Sequence, residues 1–200
     1  MILANIEIYK ALDAGRIVIV PEPLPRLNEP GQESPFDTHS VDVRLSPNLS
    51  IPQAGTYSFD LDGPSEGLRF SEFVARVSGK HVIGDNGYAL APSKFVLGRT
   101  VEKLSLPIKH AQNVSEGVCY AARFEGKSSR ARTGLLVHFT APTIHPGFEG
   151  TITLEIINLG PVPFLLRPNM PIGQLIFEEV RGLPIEKASQ FQGQSTPEGK

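Results

Sequence analysis

Thr151-Ile152-Thr153-Leu154-Glu155-Ile156-Ile157 alternates with the period of a β-strand, and its reading decides the fold. Ile152, Leu154 and Ile156 fall on one face; Thr151, Thr153, Glu155 and Ile157 fall on the other. Working outward, Leu135–Thr140, Phe164–Leu166 and Gly173–Val180 have the same character, with Gly or Pro between them. Upstream, Ile17–Val20, His39–Leu45, Tyr57–Leu61, Tyr88–Leu90, Phe95–Thr100 and Gly117–Phe124 read as further strands. In His39–Leu45 the residues Val41, Val43 and Leu45 face one side, and Ser40, Asp42 and Arg44 the other. With 18 Pro and 19 Gly punctuating short apolar runs, the chain is expected to be mostly β, a distorted barrel or jelly roll rather than βαβ units.

Helices are few. Residues 5–15 read as one, with Asn5 able to cap it, Ile8, Ala11 and Leu12 as its apolar stripe, and Gly15 to stop it. A second short helix is expected around Ser71–Val77. Pro21–Pro35 holds five prolines and cannot donate regular ladder bonds, so it reads as a loop or extended arm. The expected organisation is one domain over residues 1–180, with an N-terminal helix and arm over 1–38, and a tail over 181–200. Apolar density drops in that tail, which is expected to be disordered or ordered by a partner or ligand.

Composition narrows the function classes. The chain has 200 residues, 19 Lys+Arg against 21 Asp+Glu, and a net charge of -2. That balance gives no general pull toward nucleic acid or an anionic membrane, so any anion site must be local. No window approaches the roughly 20 apolar residues of a membrane span. One cysteine, Cys119, cannot form an intrachain disulfide, and the N-terminus lacks the pattern of a signal peptide. The expected compartment is the cytoplasm.

Two segments carry candidate chemistry. Gly126-Lys127-Ser128-Ser129-Arg130-Ala131-Arg132 offers cations and hydroxyls beside a Gly that lets backbone amides approach a ligand, which suits a polyphosphate. It is not a P-loop, because that motif needs a Gly where Ala121 stands. Its residues alone leave open a solvated basic turn. Glu155 is either an ordinary surface acid or a carboxylate facing a pocket, where partial desolvation would raise its pKa and suit it to proton transfer. Zinc chemistry of the nucleobase-deaminase type is not expected: none of the five His has a Glu two residues later, and one Cys cannot supply the ligand pair. No G-x-S-x-G elbow is present. His138 and His145 read as structural or pocket-lining.

The order of motifs resembles one family. Gly126–Arg132, Val137–Ala141, Ile144–Gly150, Leu154–Glu155 and Arg167–Leu175 follow the pattern of dCTP deaminase, in the dUTPase-like trimeric superfamily. The likeness extends to Ala11–Arg16, Ser40–Leu45, Phe95–Gly98 and Gln192–Gln194, and is loose over 21–38 and 46–85. It implies a distorted β-barrel subunit, a homotrimer with active sites at its interfaces, and zinc-free deamination of dCTP to dUTP in pyrimidine deoxynucleotide metabolism. Mg²⁺ would be held by the triphosphate, with no metal ligands on the protein. The matching Glu155 would be the acid/base. Ser128 and the Ala141 carbonyl would orient the attacking water, and Arg132 would hold Glu155. Lys127, Ser128 and Ser129 would contact phosphates, within a loop whose Arg130 and Ala131 also belong to the nucleotide site. Thr153 and Leu154 would line the base pocket through backbone groups, and Gln194 would sit on a C-terminal lid.

The chain departs from the family pattern in places. Its I-D-[PA]-G motif reads Ile144-His145-Pro146-Gly147, so an Asp expected at the deoxyribose is His145. The preceding position is Thr143 where Arg is common. The lid's Lys-Tyr is Gln190-Phe191, which removes a phosphate cation and a phenol. These changes predict a weaker triphosphate grip or an altered nucleotide preference. The rival readings are a dUTP diphosphatase, alone or combined with deamination, and a nucleotide-binding relative without catalysis.

Overall fold

The computed structural model describes residues 1–55, 70–108, 119–182, 184–185 and 192–199. In chain order the elements are α1 (Asn5–Asp13), β1 (Val18–Val20), β2 (Val41–Arg44), β3 (Asn48–Pro52), α2 (Phe70–Arg76), β4 (Ser78–Val82), β5 (Tyr88–Leu90) and β6 (Phe95–Ser105). Then follow β7 (Cys119–Gly126), α3 (Ser128–Ala131), β8 (Leu135–Val137), β9 (Thr143–Ile144), β10 (Glu149–Asn158), β11 (Phe164–Leu166) and β12 (Pro171–Val180). The expected strand at Tyr57–Leu61 lies outside the described residues.

The strands form two larger sheets. One runs β4-β3-β6-β10-β8, with β1 also on β6; the other runs β2-β12-β7-β9; β5 and β11 make a separate pair. All the strand pairings are antiparallel. The two sheets share one core. Leu49, Leu104, Leu154 and Ile156 come from the first, Val41, Phe124, Leu175 and Phe177 from the second, and all lie in a single buried cluster. Each such side chain contributes about 1.5–3 kcal/mol by leaving water. The result is the distorted jelly roll that the alternation predicts, and among the described residues neither sheet closes on itself.

Local chemistry explains where the elements differ from expectation. Asn5 is the first residue of α1 rather than its cap; Ala4 holds that place, and no side chain caps the helix. Gly15 does stop it, at φ +59°, while the Arg16 amide closes on the Ala11 carbonyl at 2.8 Å. Strand β8 ends three residues early because His138 turns to φ +52°. Strands β3, β4 and β9 go beyond what the alternation predicts; they are short and rich in Ser, Gly, Pro and Lys. In β2, Val41 and Val43 are fully buried as expected, as is the following Leu45. Ser40, opposite them, is also buried and donates to Gln174 Oε1 at 3.1 Å.

Strand β10 carries a bulge. Its register against β6 shifts between Thr151 and Thr153, and the Ile152 amide donates to the Thr100 hydroxyl at 2.9 Å. The extra residue buries Thr151 and Ile152 together and re-aims the strand just before Glu155.

Candidate active site

Glu155 sits opposite Leu97 on β6, and its neighbour Ile156 sits opposite Val137 on β8. The His138 amide then donates to the Glu155 carbonyl at 2.8 Å. A positive φ is uncommon for a residue other than Gly. Here it turns the imidazole back over the strand, so that His138 Nδ1 lies 2.9 Å from Glu155 Oε2. The ring of Phe124 meets the imidazole edge-on, with centroids 5.3 Å apart. The two polar atoms are within ion-pair distance but are not aligned as a hydrogen bond, so the attraction is chiefly that of an imidazolium for a carboxylate.

Opposing effects meet at this carboxyl. Burial, the largest, pushes its pKa up; contact with His138, the charge on that ring and the backbone amide of Glu155 pull it down. The pulls win, and the pKa lies below the ordinary carboxylate value. The raised pKa expected from desolvation alone is therefore corrected. Glu155 is ionised at neutral pH and rests as a base.

Around it is a cavity of about 330 Å³. Leu97, Ile144, Phe148 and Ile152 give it apolar walls, with His138, Ala141, His145, Thr153 and Glu155 as its polar and backbone-rich side. His145 follows β9 and is exposed; the turn after it needs Gly147, at φ +87°. Thr153 is half-buried at the cavity, whereas the Leu154 side chain points into the core and is fully buried.

The tail lies along β10 of its own chain, which corrects the expectation of disorder or of ordering by a partner. The Gly193 amide donates to the Glu149 carbonyl at 2.7 Å, and the Thr151 amide donates to the Gln194 carbonyl at 2.9 Å. Gln194 Nε2 returns a bond to the Thr151 carbonyl at 2.7 Å. A Cβ on Gly150 would stand 2.9 Å from the Gln194 carbonyl oxygen, so this close approach depends on glycine. Gln190 and Phe191 fall outside the described residues.

The loop after β7 is elsewhere. Lys127 Nζ contacts both oxygens of Asp42, at 2.6 and 2.8 Å. Ser128, Ser129, Ala131 and Arg132 are exposed, and Arg130 is half-buried with Nη1 unpartnered. None of these residues lines the cavity around Glu155. The expected Arg132–Glu155 contact is not made within the chain; His138 occupies that role. The Glu198 carboxyl and the apolar wall from Val74 also belong to the cavity without having been expected. Their elements pair with β10 only in three dimensions, so no spacing in the sequence marks them.

Two facing antiparallel sheets with a carboxylate pocket on a bulged strand place the chain among dUTPase-like β folds. The solved 2'-deoxycytidine 5'-triphosphate deaminase from Agrobacterium tumefaciens shares that fold, with a TM-score of 0.61 and 19% identity over 90% of this chain and 48% of that one. The dCTP deaminase-like family model matches residues 2–180. A dCTP deaminase of Shewanella amazonensis is 39% identical, covering 94% of this chain and 87% of its own length. A dUMP-forming dCTP deaminase of Leifsonia xyli subsp. xyli is 35% identical, covering 98% and 88%. The chain belongs to the dCTP deaminase-like family.

Proposed function

We propose that this chain hydrolyses dCTP to dUTP and ammonia, with Glu155 as the proton-transfer group. The observation that carries this reading is an ionised carboxylate, held by His138, at the wall of a nucleoside-sized cavity. Glu155 takes a proton from water as the water oxygen bonds to C4 of cytosine. The proton passes to N3 and then to the amino nitrogen, which leaves as ammonia and restores the carbonyl. Because the pKa of Glu155 is held low, the carboxyl is a base at rest and becomes an acid only after taking that proton. The Ala141 backbone at the cavity rim is suited to orient the water.

Phosphate binding falls to Lys127–Arg132. Since that loop lies away from the cavity of its own chain, the site is completed by a neighbouring copy in a homotrimer, whose Ser128 and Arg132 reach the Glu155 pocket. Mg²⁺ enters on the triphosphate. In support, among the described residues no three His, Cys, Asp or Glu side chains come together to hold an ion. Among the described residues no helix is long and apolar enough to cross a membrane, and we place the enzyme in cytoplasmic deoxynucleotide supply.

A second reading, deamination coupled to release of pyrophosphate, is motivated by the dUMP-forming relative. His145 weighs against it, because an imidazole is a poor replacement for the carboxylate that would prepare a water at the phosphates. Product analysis with dCTP, CTP, dCMP and dUTP plus Mg²⁺ separates the readings. Ammonia and dUTP from dCTP, without pyrophosphate, is the expected result. Pyrophosphate from dCTP supports the coupled reaction, and binding without turnover removes catalysis.

A further inference from the structure

Glu198 is 7% exposed, lines the same cavity as Glu155, and among the described residues has neither a hydrogen-bond nor an ion-pair partner. A carboxylate so enclosed and unpaired is costly unless something fills its acceptor positions. Its neighbours define where it is. The tail runs parallel to β10 and advances with it: Gly193 on Glu149, Gln194 on Thr151, and the Thr196 carbonyl 3.5 Å from the Thr153 hydroxyl. The next step of that register sets Glu198 level with Glu155. Like charges that close are tolerated where cations share the space, and His138 and His145 line the same cavity.

We infer that Glu198 is a specificity-determining residue that accepts a hydrogen bond from the 4-amino group of the cytosine ring. This rests on the deaminase reading above and adds a contact to it. A carboxylate is an acceptor only. The 4-amino group of cytosine is a donor, while uracil presents an oxygen acceptor at the same position. The pocket therefore favours the substrate, and its preference reverses when the amino group leaves, which expels the product.

The test uses the full chain carrying Glu155→Gln, which stops turnover so that binding of dCTP and dUTP can be measured by calorimetry with Mg²⁺. Adding Glu198→Gln replaces an acceptor with an amide that can accept from the amino group or donate to the oxygen. The expected result is a fall in the preference for dCTP over dUTP of about ten-fold, the scale of one hydrogen bond to a charged group. Glu198→Asp, which keeps the charge, should retain a preference for dCTP. An unchanged ratio overturns the inference. So does an equal change for both nucleotides, because a plug, a general repulsion or a sugar contact would act on both alike. Ammonia release by the wild-type chain reports on the deaminase reading separately: if it is absent, that reading fails whatever the ratio does.

Discussion

The pocket on β10 and the loop after β7 hold the two kinds of chemistry this chain offers, and they are finished differently. At the pocket the chain supplies its own counterpart: Glu155 has His138, and the tail covers the bulge. At the loop it does not. Arg132 is exposed, and burial without a partner for Nη1 pushes the pKa of Arg130 down despite the nearby charge of Asp42. A cation whose charge is disfavoured by its surroundings gains from an arriving anion. One region is a complete acid/base unit; the other is complementary to a polyphosphate and to another subunit.

The sharpest way to break this comparison is to inactivate each region on a separate chain. Glu155→Gln should lower turnover by roughly 10²–10⁴-fold, the usual scale for losing a general acid–base. Arg132→Ala should also lower turnover, by roughly 10²–10³-fold, through loss of a positioned charge. If pocket and loop meet across subunits, co-assembling the two variants restores about a quarter of the sites in a randomly mixed trimer. If they act within one chain, every site carries one lesion and the mixture stays inactive. Ammonia release from co-expressed and separately purified variants decides the matter.

Much of this division was legible in the sequence, for reasons that differ by residue. The alternation through Ile152, Leu154 and Ile156 fixed the strand and its buried face because period-two burial is a local property. The Gly126–Arg132 segment announced its chemistry through residue type alone. His138 opposite Glu155 was not legible: their contact spans two strands and depends on one backbone dihedral of +52°. That contact reverses the direction of the Glu155 pKa shift, which no inspection of β10 by itself would reveal. Glu198 was hidden for a similar reason, since a tail of low apolar density gives no sign of the strand it lies along.

The His138 contact yields the next prediction. Because the folded pKa of Glu155 is depressed, its ionisation contributes stability above the unfolded value, and that contribution is lost as pH falls through the folded pKa. Activity should follow the same acid limb. In His138→Gln the main downward pulls disappear and burial is left to dominate, so the acid limb of kcat/KM should move to higher pH. The neutral-pH rate should fall far less than in Glu155→Gln. A limb that stays in place would show that the backbone amide, not the imidazole, sets the carboxyl.

The smallest effect is expected at the joint between the two regions, Asp42. It sits on β2 and holds Lys127 at the head of the loop, with the pair only partly exposed. Asp42→Asn removes an interaction worth roughly 1 kcal/mol or less and should lower Tm by a few degrees. It also removes a negative charge from beside the proposed phosphate site, so KM for dCTP should drop a few-fold. Turnover should hold, because Asp42 does not line the cavity around Glu155. A loss of kcat comparable to that of Arg132→Ala would mean that the loop must be pinned to β2 for chemistry, and that its exposed face is set by Asp42 as much as by a neighbouring subunit.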